Sequence, residues 1–127
     1  MHDHIVYRAI GHVENVFDAP AAPEEIRAVE SRVVLDPALV EGLTGLKVPR
    51  QIMVVFYFDR SQGFELLQHP RGDKSRPRRG VFALCSPRRP NPIGVTVVDL
   101  IAIQDNVLRV RGLDALNGTP VLDVKPA

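Results

Sequence analysis

The residues best equipped for chemistry sit together in "CSPRRPNPIGV", residues 85 to 95. A thiol (Cys85), a hydroxyl (Ser86), two adjacent guanidinium groups (Arg88, Arg89) and a carboxamide (Asn91) are set among Pro87, Pro90 and Pro92. Proline fixes its own φ and has no N–H to give a ladder, so the segment reads as a loop built to hold a shape. Immediately upstream come Arg71, Lys74, Arg76, Arg78 and Arg79. With Arg88 and Arg89 they put seven of the 16 basic residues between positions 71 and 89, opposed only by Asp73. The net charge of +1 therefore hides an acidic body and one strongly basic segment. Such a local field suits a phosphate-bearing partner. A solvated, mobile loop kept soluble by its arginines is the other reading of the same run.

Other chemistries find less support. Cys85 has no histidine paired with it by any spacing in the sequence, and at the end of an apolar run it fits a half-buried small residue better than a nucleophile. One cysteine and four histidines without H-x-x-x-H spacing do not suggest a metal. His69 is left without a role, and His12 is expected to pack on the first strand. The nine glycines nowhere form G-x-G-x-x-G or a P-loop, which argues against a Rossmann dinucleotide site or an NTPase.

The elements that must position these residues are mostly strands. "IVYRAIGHV" (5 to 13), "QIMVVFYFD" (51 to 59), "GVFALC" (80 to 85), "GVTVVDLIAI" (94 to 103), "VLRVRGL" (107 to 113) and "PVLDVK" (120 to 125) are strand-length and rich in Val, Ile and Phe. "QDN" (104 to 106) predicts a hairpin and "NGT" (117 to 119) a tight turn. One short helix is signalled over 37 to 42, with Asp36 as N-cap, Pro37 at the first helical position and Gly42 at its end. The stretch 23 to 34 is expected to be loop and then strand from about Arg32, and 70 to 80 a flexible loop. Consecutive strands with short connections imply antiparallel pairing, and closure into a barrel would bury their edges. The fold class expected is all-β, a small antiparallel β-barrel with one short helix. A chain of 127 residues fits a single domain spanning 1–127. No apolar run approaches a membrane span, and "MHDHIVYRAIGHVENV" has no secretory-signal pattern, so a cytoplasmic protein is expected.

Two motifs, in this order and spacing, carry a specific resemblance. "RGVFALCSPRRPNPIGVTVVDL" followed by "LDALNGTPVLDVKP" resembles the TsaA-like family, also called TrmO or YaeB, of S-adenosylmethionine-dependent tRNA methyltransferases. There R-G-V-F-A-T-R-S-P-x-R-P-N-P-I-G precedes D-G-T-P-V-x-D-I-K-P. "AIGHV" and "EGLTGL" extend the match over nearly the whole chain. The resemblance implies a small barrel that dimerises, binds the methyl donor near the subunit interface, and methylates the exocyclic amino nitrogen of threonylcarbamoyl-adenosine beside the tRNA anticodon.

Carried onto this chain, it implies donor contacts from Phe58, Asp59 and Arg60, from Cys85, Ser86, Arg89, Pro90, Asn91, Pro92, Ile93 and Gly94, and from Leu116, Asn117 and Gly118. Arg71, Lys74, Arg76, Arg78 and Arg79 become the RNA clamp. Methyl transfer is an in-line displacement dominated by positioning. On that basis the Asn91 amide is expected to pin its loop, Gly94 to let the donor approach, and the 117–118 turn to offer backbone groups to it. Arg89 either faces the ligand or ties down a strand. Departures are plain. Cys85 stands where the family usually has a donor-site arginine, and Asn117 where it has aspartate. Asp59-Arg60 replaces a His-bearing pair, with Arg60 and Asp59 read as substitutes for the missing arginine and carboxylate. The sequence also stops at Ala127, just past the K-P pair. No catalytic residue is assigned. The alternative is a non-catalytic S-adenosylmethionine- or RNA-binding module of the same fold.

Overall fold

The structure, a computed structural model, describes residues 3–127. The described residues form eight strands: β1 (Gly11–Glu14), β2 (Glu30–Leu35), β3 (Arg50–Tyr57), β4 (Leu67–Gln68), β5 (Arg79–Gly80), β6 (Ile93–Gln104), β7 (Val107–Arg111) and β8 (Pro120–Pro126). Six of them close into a barrel in the order β1-β2-β7-β6-β3-β8, every neighbouring pair antiparallel, and β4 and β5 form a separate ribbon. The period-2 pattern sets which side is core. Ile52, Val54 and Phe56 of β3 are buried, as are Val98 and Leu100 of β6, Val33 and Leu35 of β2, and Leu108 and Val110 of β7. Burying each such side chain fully contributes about 1.5–3 kcal/mol. Register shifts at Val55/Phe56 and at Leu100/Ala102 curve the sheet where it must close.

The all-β barrel agrees with the sequence, as does the hairpin at 104 to 106, where Asp105 takes a φ of 54° between β6 and β7. The helix expected over 37 to 42 is a 3₁₀ helix, Pro37–Leu43, whose first turn is capped by the Asp36 carboxylate accepting from the Ala38 N–H at 3.0 Å. Several local expectations are corrected. A one-turn helix, α1 (Pro23–Arg27), occupies what was expected to be loop, with Pro23 at its start and Glu24 and Glu25 in its first turn, and β2 begins at Glu30. Of residues 5 to 13 only the end pairs as β1, and Ile5, Val6 and Tyr7 stand exposed.

"GVFALC" is not a strand beyond its first residue. The barrel is closed by six other strands, so this run finds no slot in it. It turns instead as a 3₁₀ helix, Val81–Ala83, closed by the Leu84 N–H on the Val81 carbonyl at 3.1 Å. Residues 70 to 80 are not featureless: Pro70–Gly72 forms a 3₁₀ turn and Arg79–Gly80 pairs with β4. His12 points outward to Glu14 at 3.0 Å rather than into the core.

Candidate functional site

The end of β3 and the connections beside it make a cleft of about 440 Å³. Its aromatic wall is Phe56 and Phe58, edge to face with centroids 5.2 Å apart. Ile26 and Pro23 of α1 face them, Leu116 and Ala115 come from the β7–β8 connection, and Asp59 and Arg60 supply polar groups. The Phe58 N–H, bonded to the Pro92 carbonyl at 2.7 Å, fixes the aromatic wall to the proline-rich loop. Gly94 is needed here for a reason other than the one expected. A Cβ on it would lie 2.6 Å from the Phe56 ring and 2.9 Å from that of Phe58, so it makes room for the rings that line the cleft.

The turn at 117–118 is a structural hub. The Asn117 N–H donates to Phe17 O at 2.8 Å and the Gly118 N–H to Val13 O at 2.7 Å, so these backbone groups are spent internally and not held out to a ligand. The Asn117 amide is spent too: its Oδ1 accepts from the Asn15 N–H (3.1 Å) and its Nδ2 donates to Asp18 Oδ1 (2.9 Å). This accounts for asparagine at 117, because a carboxylate there would face Asp18 with like charge. Arg60 donates to the carbonyls of Asp18 and, at 2.9 Å, Asn117. Its guanidinium therefore braces the cleft wall, a different task from that of a free donor-site arginine. Asn15, which no motif marked, donates to Ser31 Oγ and Ala115 O at 3.1 and 2.8 Å.

The segment from 84 to 94 is likewise held from within. Arg89, half-buried, donates to the carbonyls of Leu84 (2.9 Å) and Ser86 (3.1 Å), which makes its geometry one of bracing. Ser61 Oγ donates to Pro87 O at 3.0 Å and Gln68 Nε2 to Arg88 O at 2.6 Å. Asn91 works through its backbone: its carbonyl accepts from Ile93 N at 2.7 Å, while its exposed side chain does no pinning. Of the donor residues implied by the family, Phe58, Asp59, Arg60 and Leu116 line the aromatic cleft. Arg89, Pro90, Asn91, Pro92, Ile93, Gly94, Asn117 and Gly118 do not line it. Cys85 and Ser86 line a second cleft, where Cys85 is exposed and not half-buried at a strand end.

That second cleft, of about 830 Å³, gathers Arg71, Lys74, Arg76, Arg78 and Arg79 with Arg27 and Arg88. Three of its cations are paired: Arg71 with Glu24 at 2.8 Å, Arg88 with Glu65 at 3.0 Å and Arg27 with Asp114 at 2.8 Å. Among the described residues Lys74, Arg76, Arg78 and Arg79 form no ion pair. The Glu24 carboxyl is held below its ordinary range by a backbone N–H and then by Arg71. His69 Nδ1 lies 2.8 Å from Arg76 O, a loop-fixing contact.

Pro23, Pro87, Arg88 and Asp114 line both clefts, so the two meet along one wall. Asp114 is fixed there by the Thr96 hydroxyl at 2.6 Å and by Arg27. The sequence did not single out Asp114 or the "PAAP" run at 20 to 23. The only available signals were the proline spacing and the position of Asp114 just ahead of the Asn-Gly turn. Among the described residues no group of three or more His, Cys, Asp and Glu is placed to hold a metal.

Comparison with known proteins finds relatives over almost the whole chain. The family model described as the tRNA-methyltransferase O N-terminal domain matches residues 11–127. A probable S-adenosyl-L-methionine-binding protein of Pyrococcus abyssi is 37% identical over 96% of this chain and 67% of its own length. An S-adenosyl-L-methionine-binding protein of Archaeoglobus fulgidus is 37% identical over 95% of this chain and 88% of its own. The crystal structure of TrmO from Pseudomonas aeruginosa superposes with a TM-score of 0.72 at 32% identity, covering 99% of this chain and 56% of that one. A further TrmO crystal structure gives 0.76 at 32% identity, covering 98% and 57%. The chain thus spans a little over half of the solved proteins it resembles.

Proposed function

Since the chain belongs to the tRNA-methyltransferase O N-terminal domain family, we infer that it binds S-adenosylmethionine in the aromatic cleft and methylates tRNA presented by the basic one. The substrate atom is the amino nitrogen of threonylcarbamoyl-adenosine, or of a related modified nucleoside, in the anticodon region. It acts as one domain in the cytoplasm. The observation that carries this reading is the shared wall of the two clefts, which lets a ligand in one reach a ligand in the other.

The residues present fit the donor. Apolar rings suit an adenine, and Asp59 offers a carboxylate to hydroxyls or to a cationic centre. When bound, the donor supplies a methyl group made electrophilic by its sulfonium. The chain's part is placement: Phe56 and Phe58 define the pocket, Arg60 and Asn117 fix its rim, and the Arg89-braced loop holds the wall toward the basic cleft. Such positioning is where an in-line transfer gains most of its rate.

The test is titration with labelled donor, with and without tRNA lacking the methyl group. Donor binding plus transfer of label to tRNA is expected. Donor binding with no transfer to any tRNA fraction would make the protein the binding module instead.

We also propose a homodimer, supported by one face of the barrel. Outward-facing Tyr57, Ile93, Val95 and Val97 are 41%, 39%, 57% and 49% exposed. Tyr57 lies opposite Ile93, and Val97 opposite Met53, on the paired strands β3 and β6. A contiguous apolar face of this kind suits a protein contact. Sedimentation should show a dimer that Val97→Glu converts to monomer; a wild-type monomer at micromolar concentration overturns it.

A further inference from the structure

Phe82 is 79% exposed, in the middle of the "RGVFALC" run, and the turn that carries it is anchored. Val81 beside it is 1% exposed, its N–H donates to Leu66 O at 2.8 Å, and its carbonyl accepts from Leu84 N at 3.1 Å. The ring is therefore presented to solvent by a fixed backbone. Its face is thus open to stack on a planar ligand.

The surroundings indicate the partner's chemistry. Arg78 and Arg79 precede Phe82 by a few residues, line the basic cleft and have no carboxylate partner among the described residues. Phe64, 51% exposed, lies just ahead of Leu66, the residue to which Val81 is bonded. Aromatic rings interleaved with unpaired cations are the equipment of single-stranded nucleic acid binding, where bases stack and phosphates are neutralised. The other exposed apolar face, on β3 and β6, is built from Tyr57, Ile93, Val95 and Val97 and fits a protein.

We propose that Phe82, next in the chain to Ala83 of the basic cleft, is a base-stacking platform, receiving an unpaired base of RNA whose phosphates run along Lys74, Arg76, Arg78 and Arg79. This rests on the RNA-binding role proposed for the basic cleft and adds to it a requirement for unpaired bases.

The chain has no tryptophan, so Phe82→Trp provides a sole reporter. Titrating it with an anticodon stem-loop transcript should quench its fluorescence, and a blunt RNA duplex of equal length should not. Phe82→Ala should weaken stem-loop affinity roughly 5- to 160-fold, the range found for losing one stacked base. The salt dependence and the affinity for S-adenosylmethionine should stay as in the wild type. Equal stem-loop binding by Phe82→Ala and wild type, with salt dependence intact, overturns the stacking role alone. Dissociation of a dimer in Phe82→Ala without loss of RNA affinity overturns it in favour of a protein contact. If the wild type binds no RNA, the RNA reading falls and this proposal with it.

Discussion

At the scale of single residues, the polar side chains of the proline-rich loop and the Asn-Gly turn are mostly consumed in holding the site together. Arg89 makes two charge-assisted bonds to carbonyls of its own loop. Arg89→Ala should therefore lower thermal stability by about 2 kcal/mol, the scale of a hydrogen bond to a charged group, while donor affinity largely survives. Loss of affinity with an unchanged melting temperature in calorimetry would place Arg89 against the ligand instead. Asn117 gives a sharper case. Asn117→Asp sets a second carboxylate against Asp18 and removes the donor that bonded it. The variant should be destabilised at neutral pH and less so below the carboxylate range, and adding Asp18→Asn should restore much of the loss. Melting curves of the single and double variants at pH 7 and pH 3 check this.

Among the elements, β2 and β7 are joined across the outside of the barrel by a bidentate pair. Arg109 Nε and Nη2 donate to the two oxygens of Glu30 at 2.9 and 3.0 Å. The hydrogen bonds from Arg109 hold the Glu30 carboxyl below its ordinary value, opposed by desolvation. A carboxyl depressed on folding adds stability that is fully present above its unfolded pKa and is lost as pH falls through the folded one. Glu30→Gln should thus melt below the wild type at pH 7, and the gap should close as the pH drops under the carboxylate range. A gap that persists at pH 3 would assign the effect to packing. The helix α1 has a larger role than its single turn suggests. It faces the aromatic cleft with Ile26, and its Arg27 and Glu24 reach across to Asp114 and Arg71 of the basic cleft.

For the whole molecule, charge is uneven: β5 and the loop before it bring four cations without ion pairs among the described residues, Lys74, Arg76, Arg78 and Arg79, to one cleft, while the rest of the chain is net acidic. Replacing Arg76, Arg78 and Arg79 together by alanine should weaken RNA binding and flatten its salt dependence by roughly 0.7 in slope for each phosphate no longer neutralised. Donor affinity should hold. A filter-binding series from low to moderate salt reads this directly, and an unchanged slope would mean the segment only aids solubility. No helix among the described residues is long and apolar enough to cross a membrane.

Local pattern was enough to specify the barrel, because strand-length apolar runs with period-2 burial and short turns leave few other ways to hide their edges. It was enough for the family too, through two motifs whose order and spacing are specific, and for the basic segment, since charge needs no folding to be counted. What each motif residue does was settled on folding. Whether Gly94 admits a ligand or a phenyl ring depends on β3 lying opposite it, and whether Arg89 meets a donor or a carbonyl depends on how the loop returns. "GVFALC" has the composition of a strand, and it turned because the barrel had closed without it. Asp114, Asn15 and α1 were illegible for the same reason: their roles arise from neighbours distant along the chain, such as Arg27 with Asp114 and Asn15 with Asn117. Pairings of that range are fixed by barrel closure, which no local pattern encodes.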